Sequence, residues 1–363
     1  MAKKILLLSI LILFLPSFYV YSEGEVPSFY ERAEVLDVFE DGNLDNDNIE
    51  MVQFVNLKVV TGKYKGQIFN IENVQSGHPV YDIPVKKGDK VLVLIEEYED
   101  GNLEVNIADY VRDYYIYILI LIFMIVLLVI GRRKGLKTII TLVLTMFMIF
   151  KVLLPLMLRG FNPIFITILI SAVIIIVTIL IISGLSKKSL AAIVGTVSGV
   201  LIAGFLAFII GTRVKLTGLT SEEAVMLLYI PQNINFNFKD LLFSGILLGA
   251  LGAVMDVSMS IASSIEEIRK VNTDLSRKEL FLSGMNVGKD IMGTMSNTLI
   301  LAYTGSTVPL MLLFMAYETS FLRIVNLDLI ATEIIRSIAG SIGLVLAVPI
   351  TALISVILIR KKD

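Results

Sequence analysis

The chain has no cysteine and no tryptophan, and its single histidine is His78. Without cysteine there are no disulfides, thiolate metal sites, iron–sulfur clusters, nucleophilic thiols or cysteine-linked lipid anchors. One histidine leaves neither a His-based zinc triad nor a Ser-His-Asp arrangement. No catalytic residue, metal or cofactor is therefore expected, and any hydrolytic chemistry would fall to carboxylates. No P-loop sequence occurs, which argues against energy coupling by nucleotide hydrolysis. Charge is also scarce: 18% of residues are charged, and the formal net charge is −2. No basic stripe runs with aromatics as a nucleic-acid surface requires, so a nucleic-acid partner is not expected.

What fills the chain instead is apolar. Of 363 residues, 56% are hydrophobic, which makes a lipid bilayer the expected solvent. Met1-Ala-Lys-Lys, an apolar stretch from Ile5 to Leu15, Pro16 and the small-residue step Val20-x-Ser22 fit a signal peptide over 1–22. An uncleaved anchor is the alternative, although the apolar core is short of the roughly 20 residues a span needs. Either form sends the next segment of the chain outward.

Residues 24–110 regain charge, and short β-prone runs alternate with turn signals. The expected strands are Ala33 to Phe39, Val52 to Val60, Gln67 to Ile71, Lys90 to Ile95 and Leu103 to Ile107. Asp41-Gly42, Gly62-Lys-Tyr-Lys-Gly66, Lys87-Gly88-Asp89 and Asp100-Gly101 mark turns, where glycine admits positive φ. Five strands in so short a stretch suggest a small β-rich, OB-like barrel. Tyr30, Phe39, Phe54, Tyr64, Phe69, Tyr81 and Tyr98 are expected to fill its core, a binding face being the alternative.

From 114 to 360 the sequence reads as a transmembrane helical bundle. Seven spans are expected: Tyr114 to Gly131, Thr138 to Leu158, Ile164 to Ser186, Leu190 to Gly211, Leu241 to Ser264, Asp290 to Met315, and Ile334 to Ile359. One set of flanks carries Arg132, Arg133, Lys134, Lys137, Lys187, Lys188, Arg269, Lys270, Arg277, Lys278, Lys289, Arg360, Lys361 and Lys362. The other carries Arg159, Arg213, Lys215, Lys239 and Arg323, giving 14 cations against 5. Positive-inside asymmetry then places the C-terminus in the cytosol and residues 24–110 outside the cell membrane. In the loop from Thr212 to Asp240, Ser221-Glu-Glu-Ala-Val-Met-Leu-Leu carries a helix-capping pattern.

Gly195 with Gly199, Gly245 with Gly249, and Gly343 with Ala347 stand four apart and read as helix-packing faces. The fifth and sixth spans hold more polar groups than lipid tolerates. Asp256, Ser260 and Ser263 recur at helical spacing, as do Asp290, Thr294, Asn297 and Thr298. An ionisable group in hydrocarbon costs at least about 2.5 to 3.5 kcal/mol and normally faces water or the bundle interior. Asp256 is thus the sharpest candidate, its alternative role being a packing hydrogen bond to neighbouring serines. Asp290 could instead cap the sixth helix. Gly305 and Pro309 are expected to break that helix, and Gly293 with Gly305 to serve a gate. Glu333 and Arg336, one turn apart, are expected to pair with each other or with Lys151.

Gly249-Ala-Leu-Gly-Ala-Val-Met-Asp256-Val-Ser-Met-Ser-Ile-Ala-Ser263 and Ser283-Gly-Met-Asn-Val-Gly-Lys-Asp290-Ile-Met-Gly-Thr-Met-Ser-Asn-Thr-Leu-Ile-Leu-Ala-Tyr303 resemble the YibE/F-like family of bacterial membrane proteins. Gly340-Ser-Ile-Gly-Leu-Val-Leu-Ala-Val-Pro349-Ile-Thr351 extends the resemblance, as do, more loosely, Lys63-Tyr-Lys-Gly66 and Gly88-Asp-Lys-Val91. It implies an extracytoplasmic N-terminal region followed by a multi-pass part, and leaves the substrate open.

The leading expectation is transport of a small solute or ion along a path between the fifth and sixth helices, lined by the polar residues named above. The alternative is a non-catalytic assembly or envelope-biogenesis factor whose outer domain binds an extracytoplasmic protein partner. An intramembrane aspartyl protease is remote, because Val287-Gly288-Lys289 before Asp290 does not match the Gly-x-Gly-Asp pattern of such proteases. The protein is accordingly not expected to be an enzyme.

Overall fold

The computed structural model describes residues 27–41, 51–78, 80–230 and 236–359. The expected signal peptide lies outside them. The chain divides into two compact units, one running through Val126 and the other from Leu127 onward.

The first unit is built on β1 (Ser28–Asp41), β2 (Met51–Val59), β3 (Ile68–Gln75), β4 (Lys90–Glu97) and β5 (Leu103–Tyr110). They form one antiparallel sheet in the order β3-β2-β1-β4-β5. Irregularities between Val35 and Asp37 on β1 and between Leu92 and Val93 on β4 add the local twist that curls a sheet. The result is a half-barrel whose two edge strands, β3 and β5, approach one another.

Alternate residues point inward, and Val35, Val55, Leu57, Val59, Val91, Val93 and Ile95 form the core. The aromatics do not fill it as expected. Tyr64 is buried and Phe69 half-buried, whereas Tyr30, Phe39, Phe54, Tyr81 and Tyr98 are exposed. A pleated interior of this width is already closed by β-branched side chains, which pack well on such a surface.

Glu31 also points inward and is buried beneath the Gly62–Gly66 turn, where its carboxylate accepts from the Lys63 amide at 2.6 Å. Gly62 has φ +68°, and a side chain there would overlap that carboxylate. Gly62→Ala should therefore destabilise this unit by roughly 1–3 kcal/mol. Hydrogen exchange of the β1 and β2 amides should speed up by about tenfold or more.

The second unit is helical. Its chain continues α1 (Asp113–Leu158) and adds α2 (Pro163–Ser183), α3 (Lys187–Arg213), α4 (Glu222–Met226), α5 (Phe238–Val271), α6 (Arg277–Ser306), α7 (Val308–Ala316), α8 (Phe321–Val325) and α9 (Asp328–Leu358). Among the described residues five helices are long and apolar enough to cross a membrane, or six if α6 and α7, bent by 61°, make one span. The seven-span expectation separates the first two spans, which here lie in the single run α1. That run is interrupted at Arg132, whose φ of 47° falls in the left-handed region. It turns π-helical over Met148–Leu153, just ahead of Pro155, which lacks the N–H a regular turn would use.

Helix starts follow the capping residues. Asn162, Ser186 and Asn237 accept from backbone amides of α2, α3 and α5, and Ser221 caps the short α4 as its sequence suggests. Ser276 and Glu279 form a capping box at the start of α6. Asp290 is therefore no N-cap. It sits in the middle of α6, because the helix begins thirteen residues earlier in a polar stretch that apolar patterning alone does not reveal.

The bundle core lies among α2, α3, α5, α6 and α9. Gly199 and Gly343 bring α3 and α9 into backbone contact, and a side chain at Gly199 would lie 2.7 Å from Val254 and 2.8 Å from both Ala347 and the Gly343 carbonyl. Small residues permit this approach. Gly245 departs from its expected packing role, since nothing lies within 4 Å of where its side chain would be, while Gly249 faces the Tyr303 hydroxyl.

Candidate functional site

α5 and α6 each bury one face and expose another. On α5, Val254, Val257, Ser258 and Ile261 are buried against the bundle, while Gly245, Gly249, Gly252, Asp256 and Ser260 lie exposed along the opposite side. Ser263 is half-buried. On α6, Leu280, Gly284, Gly288 and Leu299 face inward, with Gly284 seated against Ile265 and Gly288 against Val348. Asp290, Gly293, Thr294, Asn297 and Thr298 are exposed. The expected polar residues thus form outward-facing surfaces on both helices and do not line a closed cavity.

Their hydrogen bonding separates two kinds of residue. The Thr294 and Thr298 hydroxyls donate to the carbonyls of Ile291 and Thr294, at 3.0 and 2.9 Å, which satisfies them within their own helix. Asp256, Ser260, Asp290 and Asn297 make no side-chain hydrogen bond or ion pair among the described residues. The serine-bonded packing role open to Asp256 is therefore not realised. No side chain fills the space over Gly252 or Gly293, so backbone polarity is uncovered beside the free carboxylate and amide.

The break ahead of Pro309 occurs where expected. α6 ends at Ser306, Thr307 caps it, and Pro309 lies in the first turn of α7. Proline removes one backbone donor and its ring would press on the carbonyl four residues earlier, that of Gly305. Tyr303, one turn before the break, has its ring 5.8 Å from the Arg336 guanidinium, and Arg336 donates to Glu333 at 2.7 Å. Glu333 and Arg336 thus pair with each other, and Lys151, half-buried in the π-helical turn, joins no ion pair among the described residues.

A group of buried hydroxyls was not singled out from the sequence. Ser258 on α5 and Thr351 on α9 are fully buried, lack hydrogen-bond partners among the described residues and both lie against Gly195 of α3. Thr167, Ser171 and Thr178 on α2 are likewise buried and unpartnered. Their i, i+4 and i+11 spacing was the available signal. It is weak, because serine and threonine in apolar helices usually bond back to their own backbone, as Thr196 does to Ala192 at 2.7 Å.

An apolar groove of about 760 Å³ lies between α2, α3 and α5, with Phe165, Phe205 and Phe243 among its walls. Buried Asp240 also lines it and accepts from Asn162 at 2.8 Å. Among the described residues no group of three or more His, Cys, Asp or Glu could hold a metal ion.

A family model described as YibE/F-like protein matches residues 119–361, and one described as the YibE/F family N-terminal domain matches residues 30–110. No curated protein and no solved structure matches the chain.

Proposed function

The chain belongs to the YibE/F-like family, and from the geometry above we propose that it is a transporter or channel for a small solute or ion. The observation that carries this reading is Asp256: a carboxylate without a partner, set between Gly252 and Ser260 on an exposed face of an apolar helix. Facing lipid, such a group costs at least about 2.5 kcal/mol. A wet path along α5 and α6 removes that penalty. Asn297, Ser260 and the uncovered backbone at Gly252 and Gly293 supply further polar groups along it, and the bend at Gly305 and Pro309 supplies a place to gate.

In this reading the membrane is crossed seven times. At about 1.5 Å per residue the 46 residues of α1 amount to roughly 69 Å of helix in all, more than twice the ~30 Å hydrocarbon thickness, so two crossings meet at Arg132, where the chain folds back and sets Gly135 against the Leu127 carbonyl. Residues 24–110 lie outside as an OB-like ring opened between β3 and β5, the leader is removed, and the C-terminus is cytosolic. The five exposed aromatics of the half-barrel favour a second role for that domain, capture of an extracytoplasmic protein.

The test is reconstitution of the purified protein in liposomes, following flux of protons and of a panel of ions and small metabolites. Flux above that of empty liposomes is expected for at least one of them. If the whole panel stays at background in protein-loaded vesicles, the transport reading gives way to partner capture by the outer domain.

A further inference from the structure

A second site lies where the N-terminus of α3 meets the last turns of α5 and α9. A cavity of about 230 Å³ there is lined by Lys187, Lys188, Glu266, Arg269, Lys270 and Ser355. Four cations thus surround one carboxylate.

Part of that charge is already engaged. Lys188 pairs with Glu266 at 2.7 Å, and Lys270 pairs with Glu267 at 2.8 Å and more loosely with Glu266 at 3.8 Å. The Arg269 guanidinium donates to the carbonyls of Thr273 and Leu275 beyond the end of α5. Lys187 is exposed and joins no ion pair among the described residues. Even with Glu267 counted, the cations outnumber the carboxylates by four to two, so the cavity carries a positive excess.

Two further features point to an anion. α3 is 27 residues long and starts at Lys187, so its first backbone N–H groups and the positive end of its dipole lie at the cavity wall. Ser186 caps only one of those amides, accepting from Ser189 at 3.2 Å. Across the cavity Ser355 of α9 is 6% exposed, and its hydroxyl has no partner among the described residues. A buried hydroxyl without a bond normally costs stability, and a ligand oxygen in the cavity would satisfy it.

We propose that this cavity binds a phosphate group. A tetrahedral oxyanion accepts in several directions at once, which suits helix amides, lysine ammonium groups and a serine hydroxyl converging from three helices. The excess of lysine and arginine on these flanks puts the site at the cytosolic face. The phosphate is then either the headgroup of an anionic phospholipid or a soluble phosphate. The site shares no residue with the α5 and α6 polar faces and stands whether or not the protein transports.

The experiment uses the purified full-length chain. Thermal stability is measured in detergent with inorganic phosphate against chloride at equal ionic strength, and in nanodiscs of phosphatidylglycerol against phosphatidylcholine. Stabilisation by inorganic phosphate assigns a soluble source, and stabilisation by phosphatidylglycerol alone assigns the lipid headgroup. Lys187→Ala disturbs no ion pair and should weaken binding about tenfold, the effect of losing one charge-assisted contact. Ser355→Ala should weaken it to a smaller extent. Glu266→Gln removes the competing carboxylate, frees Lys188 and should tighten binding. No stabilisation by either phosphate source, or full binding by a folded Lys187→Ala protein, would overturn the proposal. So would weaker binding in a folded Glu266→Gln protein, because the carboxylate would then be a part of the site and not a competitor.

Discussion

If the protein transports as proposed, Asp256→Asn should lower flux through reconstituted protein by at least about tenfold, to near that of empty liposomes, while leaving the protein folded. The substitution keeps the side chain's shape and replaces the ionisable oxygen by a neutral amide NH2. Asp256 is 18 residues into α5 and ten before Glu266, or roughly 27 and 15 Å along the helix axis at 1.5 Å per residue. That depth is beyond easy snorkelling for a side chain as short as aspartate. A carboxylate held there without a partner must meet water or the moving solute, so its removal should act on flux. Because no contact within the chain is lost, thermal stability should equal or exceed that of the wild type. Asp290→Asn should have a smaller effect, since Lys289 adjoins it and the preceding turns of α6 are polar enough to lie in water. A destabilised Asp256→Asn protein, or one with wild-type flux, would return Asp256 to a packing role.

Gly343→Val should cause the largest loss of stability of these substitutions, by about 3 kcal/mol or more. Its side chain would enter a contact already made between backbones, 2.7 Å from Ala203 Cβ and 3.1 Å from the Ala203 amide, and closer still to the Gly199 carbonyl. Overpacking against flexible side chains typically costs 1–3 kcal/mol. Here neither neighbour can rotate away, so α3 and α9 must separate along the interface that organises the core. Gly245→Ala is the matched control. It also adds bulk to a membrane helix glycine, but into open space, and should fall within about 0.5 kcal/mol of wild type. Denaturation of the purified protein in mixed micelles measures both, and equal effects would mean that the α3–α9 approach is not limiting.

The contrast between Gly343 and Gly245 also marks where sequence reading ends. Both glycines stand in apolar helices at four-residue spacing from another small residue, and nothing local distinguishes the one that touches a neighbouring backbone from the one that faces outward. Inside a bilayer the usual guide is missing too. Lipid is as apolar as the bundle core, so there is little hydrophobic difference between the packed and outer faces of a span. The same gap left the orientation of Asp256 and Asn297 open. It also hid Ser258, Thr351 and the meeting of Lys187 with Ser355, because those residues lie on different helices far apart in the chain.

Features that depend on a few consecutive residues were legible. The five strands follow from period-two alternation between glycine turns, the apolar helices from runs longer than the hydrocarbon is thick, and the helix break from a proline four residues after Gly305. Even there, local pattern did not determine everything. Tyr30, Phe39 and Phe54 alternate as strand residues should, yet they turn outward because valines and isoleucines on the other face fill the space, and Tyr81 and Tyr98 lie exposed outside the strands. By itself, then, the sequence determined the division into a β-rich unit and an apolar helical unit, together with the chemistry available on α5 and α6. Only the tertiary structure decided which faces are covered, which charges are paired and which small residues are in contact. Those properties belong to pairs of helices, and a pair is specified by the shape of both surfaces and not by the composition of either one.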